Sequence, residues 1–156
     1  MATTGIRGWL AAGLASLLVT GCGADAGLDQ HGRKVTAESL ADQWLIINYW
    51  APWCAPCRKE IPQLNQLSRE LDDRTQILGV NFDGLQGQAL LDASRQMGIE
   101  FRVLAEDPAA RFGLPERKIL PVTFIIGPDG ELREQLLGEQ TADGLRAKLS
   151  ALREVH

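Results

Sequence analysis

The sequence predicts one α/β domain built on a mixed sheet, on three observations. Gln43 to Trp50, "QWLIINYW", is a dense apolar and β-branched run, the pattern of a strand buried on both faces. Ile61, Leu64, Leu67 and Leu71 then recur at helical spacing before a second strand-like run, "TQILGVNF", from Thr75 to Phe82. Strand, helix and strand at this spacing make a βαβ unit, which favours parallel pairing. Near the C-terminus, Val122 to Ile126, the turn "GPDG" and Glu131 to Leu137 read as a hairpin, which is antiparallel. The sheet is therefore expected to be mixed.

The remaining elements follow in order. Asp72-Asp73 closes the first helix, and "GQALLDASRQMG" is a helical stretch stopped by Gly98. A short strand is expected around Phe101 to Leu104 and a short helix near Pro108 to Phe112. A final helix, Thr141 to Leu152, places Leu145, Leu149 and Leu152 on one face. With 156 residues, the chain can close one compact domain around a real core. The formal charge of −4, with no basic stripe, argues against a nucleic-acid partner.

The first residues follow a different pattern. Arg7 is the only charged side chain before Asp25, and Trp9 to Thr20 is apolar and rich in Ala and Leu. That run is shorter than the roughly 20 residues a spanning helix needs, and it has the length and flanks of a secretory signal. Val19-Thr20-Gly21-Cys22 resembles a bacterial lipobox, in which cleavage precedes a lipidated cysteine. The expected organisation is a signal peptide over 1–21, a lipidated Cys22 with its tether over 22–33, and the domain over 34–156. An uncleaved anchor, or an ordinary signal in which Cys22 is incidental, is the alternative. Acyl chains contribute about 0.8 kcal/mol per buried methylene, so a multiply acylated Cys22 anchors without a spanning helix. In the lipoprotein pattern an Asp after the cysteine favours inner-membrane retention. Gly23 stands there instead, which tips the expectation toward the outer membrane.

Cys54 and Cys57 then remain, facing an oxidising compartment. Their spacing closes a tiny loop, so a bridge there removes little unfolded-state entropy and suits a bond that is made and broken. Haem attachment requires a His at position 58, which is Arg. Structural zinc requires four ligands, and His31 and His156 lie near the two ends. A peroxide-reducing site wants a Thr ahead of its Cys and an Arg supplied later. The pattern here is W-C-x-x-C. No metal and no cofactor are expected. Cys54 falls in the turn between the strand and the helix, where unsatisfied N–H groups and the macrodipole favour an anion and lower a thiol pKa. Cys57, one turn in, faces that sulfur, and Pro56 suits the first helical turn. This makes Cys54 the attacking thiol and Cys57 the resolving one, exchanging through a mixed disulfide.

Trp53-Cys54-Ala55-Pro56-Cys57, preceded by "NYWAP" and followed by "RKEIP", resembles the thioredoxin superfamily, and more closely its TlpA/ResA/DsbE group of extracytoplasmic thiol–disulfide oxidoreductases. The similarity runs from about Lys34 to Leu152. It includes "LPVTF" from Leu120, matching the family's cis-proline loop, and a segment near Asp83 to Leu104 matching the helix-plus-strand insert of this group. The resemblance implies a thioredoxin fold, a central mixed sheet flanked by helices, and a cis Leu120–Pro121 bond. It also implies that Trp53, Leu120 and Pro121 contact substrate. Where thioredoxins carry a buried Asp six residues before the first cysteine, this chain has Asn48, which cannot titrate. Glu60 is the family's other carboxylate and the remaining candidate for moving protons near Cys57. Its bland reading is a solvated helix residue in the trio Arg58, Lys59 and Glu60.

Other residues invite plain readings. Arg58 and Lys59 read as surface charge, Trp44 and Trp50 as packing, Pro62 as a structural kink, and His31 and His156 as surface residues. The alternative for Trp53 is that it simply packs the loop. The resemblance implies a membrane-tethered periplasmic enzyme that reduces protein disulfides and draws electrons from an upstream donor. The alternative is a partner-binding module, of cytochrome-maturation or metallochaperone type, with little turnover.

Overall fold

The computed structural model describes residues 1–2 and 25–155, so Cys22 and the expected signal segment lie outside the described residues. The elements run β1 (Trp44–Trp50), α1 (Ala55–Glu70), β2 (Thr75–Asn81), α2 (Gly87–Met97), β3 (Arg102–Leu104), α3 (Ala109–Phe112), β4 (Val122–Ile126), β5 (Leu132–Leu137) and α4 (Ala142–Val155). They form one five-stranded sheet in the order β3-β2-β1-β4-β5. β1 pairs parallel with β2, and β2 with β3, whereas β4 and β5 are antiparallel to their neighbours. The mixed sheet is as the βαβ unit and the hairpin require. Element ends differ from expectation by one to three residues. β5 starts at Leu132 because Gly127 donates to the Glu131 carbonyl, which draws Glu131 into the turn.

Because side chains alternate along a strand, β1 addresses two layers. Ile46 packs with Leu64 and Leu67 of α1 and Leu145 of α4, and Trp50 packs with Cys57 and Ile61. Leu45, Ile47 and Tyr49 face the opposite layer, with Phe124, Val122 and Val35. Asn48 therefore falls between Ile46 and Trp50 on the face that meets α1. Trp50 is fully buried, and Gly79 on β2 makes the room. A Cβ there would lie 3.1 Å from the Trp50 indole nitrogen and 3.2 Å from the Phe101 ring. Trp44 is also core. α1 continues through Pro62, an exposed position where the missing N–H removes one intrahelical bond.

Of the stretch expected as a tether, residues 26–33 dock on the domain. Ala26 donates to Val35 and Val35 to Gly27, each at 2.9 Å. Gln30 donates through its backbone to Val103, while its side chain spans the Phe101 carbonyl (3.0 Å) and the Val103 N–H (2.8 Å). This covers the open side of β3, where unpaired edge groups would invite pairing with another chain. Among the described residues, no helix is long and apolar enough to cross a membrane.

Candidate functional site

The site sits where β1 ends. Cys54 is the N-cap of α1, in extended conformation, and its Sγ accepts the Cys57 N–H at 3.2 Å. That is the helix-start environment the sequence anticipates: a backbone donor aimed at the sulfur, with Pro56 in the first turn where its lack of an N–H is harmless. The two cysteines form a disulfide, with Cα atoms 5.3 Å apart. Cys57 is fully buried, among Trp50, Ala51, Ile61 and Leu90, whereas Cys54 retains 4% exposure. Only Cys54 offers any surface to an incoming partner.

Cys54 borders an open cleft of about 440 Å³ lined by Trp53, Pro56, Phe82, Ile119 and Leu120. Trp53 is 65% exposed, so it does not pack the loop interior. Its ring meets Phe82 edge-on at 6.3 Å, and its indole N–H donates to the Asp83 carboxylate at 3.0 Å. The Leu120–Pro121 bond is cis. Leu120 is half-buried against the cysteines, and the Pro121 carbonyl accepts from Gly138 at 2.9 Å. Phe82 and Asp83 were not singled out in the sequence. The signal for them is register: Trp50 pairs with Asn81, and the Phe82 N–H reaches the Trp50 carbonyl at 2.8 Å. Residues just past β2 must therefore flank the turn that carries Cys54.

Behind the disulfide lies a buried polar group. Glu60 is fully buried, not solvated, one helical turn beyond Cys57. Its Oε2 accepts from Asn48 Nδ2 at 2.9 Å and its Oε1 from the Gln140 backbone N–H at 3.1 Å. Asn48 Nδ2 also donates to Thr123 Oγ1 at 3.0 Å, across the β1–β4 pairing that sets the two residues side by side. Asn48 Oδ1 is buried with no hydrogen-bond partner. Burial pushes the Glu60 carboxyl up to about 7, against the two donated bonds, and the nearby Glu139 charge adds to the rise. Arg58 and Lys59, its neighbours in sequence, are exposed, as is His31.

A second cluster holds the loop that carries Leu120. Tyr49 on β1 donates its hydroxyl to Asp107 at 2.6 Å. Arg117 pairs with the other Asp107 oxygen at 2.5 Å and lies over the Tyr49 ring at 4.7 Å. Burial, with the hydrogen bond to Asp107, raises the Tyr49 phenol well above its ordinary range.

Residues 22–135 match the AhpC/TSA family. The thiol–disulfide oxidoreductase ResA of Bacillus thuringiensis (strain Al Hakam) is 30% identical over 125 residues, spanning 80% of this chain and 72% of the relative. The thiol:disulfide interchange protein HelX of Rhodobacter capsulatus is 33% identical over 108 residues, 69% of this chain and 59% of that protein. The crystal structure of a DsbF homologue from Corynebacterium diphtheriae superposes with a TM-score of 0.68 at 23% identity, covering 80% of this chain and 82% of that one, which shows the shared fold. With a helix-capping cysteine bonded to the residue three positions on, and with these relatives, the chain belongs to the AhpC/TSA family and groups there with the ResA-type thiol–disulfide oxidoreductases.

Proposed function

We propose that this chain works as an extracytoplasmic thiol–disulfide oxidoreductase, tethered through a lipid on Cys22, that reduces disulfides of protein substrates. The observation that carries the reading is the inequality of the two sulfurs. Cys54 caps α1 at the edge of an apolar cleft, and Cys57 is sealed beneath it beside Glu60. In the dithiol form, the Cys54 thiolate attacks one sulfur of a substrate disulfide, and the other substrate sulfur leaves as a thiolate. Cys57, its proton passed to Glu60, then attacks Cys54 Sγ. The Cys54–Cys57 bond forms, the mixed disulfide breaks, and the second substrate thiolate departs. Two electrons move to the substrate, and an upstream dithiol must return them. Trp53 and the backbone of Leu120 beside Pro121 supply the surface on which an extended substrate segment lies.

Trapping tests this. Cys54→Ser is expected to abolish reaction with substrate disulfides, and Cys57→Ser to accumulate a mixed disulfide visible on a non-reducing gel. Faster alkylation of Cys57 than of Cys54 at neutral pH would reverse the roles. Reaction that stops after one equivalent in a donor-coupled assay would favour a binding module over an enzyme.

A further inference from the structure

Asn48 holds Glu60 with only half of its amide. Nδ2 spends both hydrogens, one on Glu60 Oε2 at 2.9 Å and one on Thr123 Oγ1 at 3.0 Å, while Oδ1 is buried without a partner. This arrangement suits an ionised Glu60, which only accepts. A protonated carboxyl carries an O–H, and an amide N–H facing it offers a donor to a donor. The terminal torsion of Asn is soft and roughly two-fold. Turned by half a rotation, the amide puts Oδ1 where Nδ2 now stands, within reach of the Glu60 oxygen and the Thr123 oxygen. Both are hydroxyl donors in that state. The number of bonds is two in either orientation, and one amide atom stays unpartnered in each.

We propose that Asn48 is a rotatable positioning residue for the proton on Glu60, presenting Nδ2 to the carboxylate and Oδ1 to the acid. The device holds or releases one proton behind Cys57 without a second buried charge. An Asp at this place would put two carboxylates within 2.9 Å of one another, and such a pair shares a proton and titrates in two coupled steps. The titratable groups around Glu60 are Cys57, one turn back on α1, and Glu139 in the loop before α4. The sheet presents Asn48 from β1 and Thr123 from β4, neither of which titrates, and Arg58 and Lys59 on α1 are exposed. The loop's backbone N–H at Gln140 donates to Oε1, which accepts in both forms and more strongly when the carboxyl is ionised, so it biases the equilibrium without following it. The inference rests on the functional reading only in giving Glu60 a proton to exchange.

The test is side-chain NMR on the full chain in its disulfide form. Contacts from the Asn48 amide hydrogens to Thr123 are expected above the Glu60 midpoint and lost below it, with the same midpoint as the Glu60 carboxyl carbon. In Glu60→Gln the pH-dependent exchange of contacts should vanish. In Asn48→Ala the proton affinity of Glu60 should move by less than about tenfold, because both protonation states lose a partner. Amide contacts that persist unchanged through the Glu60 titration overturn the proposal. So does a Glu60 that never titrates between pH 4 and 9, or an Asn48→Ala shift of tenfold or more toward the acid. Iodoacetamide rates at Cys54, read on the reduced protein, separate this from the functional reading. An exchange of contacts together with rates indifferent to Glu60→Gln supports the rotating amide and removes Glu60 from thiol chemistry.

Discussion

Ionising Glu60 places a charge where its only compensation is two neutral N–H donors. Its midpoint near 7 lies above the ordinary 4.5, so the folded state holds the proton more tightly than the unfolded chain does. The associated stability is complete below the unfolded value and is lost as pH rises through 7. At about 1.4 kcal/mol per unit, that shift corresponds to on the order of 3 kcal/mol. Glu60→Gln, which cannot ionise, is expected to flatten the fall in Tm between pH 4.5 and 7.5. Parallel curves for the two proteins, followed by circular dichroism, would contradict a buried titration. Glu60 was legible as chemistry from its place after Cys57, but its burial was obscured by Arg58 and Lys59. The stripe Cys57, Glu60, Ile61, Leu64 carries the missing information, since it is the spacing of a helix face turned inward. The partnership with Asn48 could not be read locally, because it depends on β1 and α1 packing face to face.

At the scale of elements, the segment from Gly113 to Pro121 has no regular structure and is held by side chains. Arg117 ties it to Asp107 after β3 and to Tyr49 on β1, the strand that delivers Cys54. The clasp thereby fixes one wall of the cleft to the other. Arg117→Met keeps much of the packing stem and removes the ion pair. It is expected to raise KM for a protein disulfide several-fold while leaving Cys54 alkylation by iodoacetamide unchanged, since a small reagent needs no second wall. Equal losses in both assays would mean that the whole site had shifted. In the core, Leu64→Ala should destabilise by about 2–5 kcal/mol, measured by urea unfolding, as expected for a fully buried Leu between α1 and the sheet. The strands and helices were legible because their apolar periods are regular. The Tyr49–Asp107–Arg117 clasp was not, because its members are 58 and 10 residues apart and only the fold brings them together.

For the molecule as a whole, direction of electron flow depends on how far the thiolate is stabilised. The residues between the cysteines, Ala55 and Pro56, add no charge, and the first turn of α1 supplies one backbone donor to Cys54. A modestly stabilised thiolate gives a reducing couple, so the expected potential lies nearer about −270 mV, the thioredoxin value, than about −120 mV, the DsbA value. Equilibration of the purified protein against glutathione buffers measures it, and a result near the upper figure would make the protein an oxidant.

The segment docked at the sheet edge also sets how far the domain can reach. Among the described residues, the first backbone bond to the domain is made by Ala26, four residue steps after Cys22. At most about 3.6 Å per step, a lipid on Cys22, as proposed above, would moor the domain within roughly 14 Å of its anchor point. So short a leash would allow the domain to pivot against the bilayer surface but not to patrol the compartment. Its substrates and its electron donor would then have to bring their cystines to the membrane. A flexible linker inserted before Asp25 should relieve that restriction for soluble partners and leave the chemistry at Cys54 as it was.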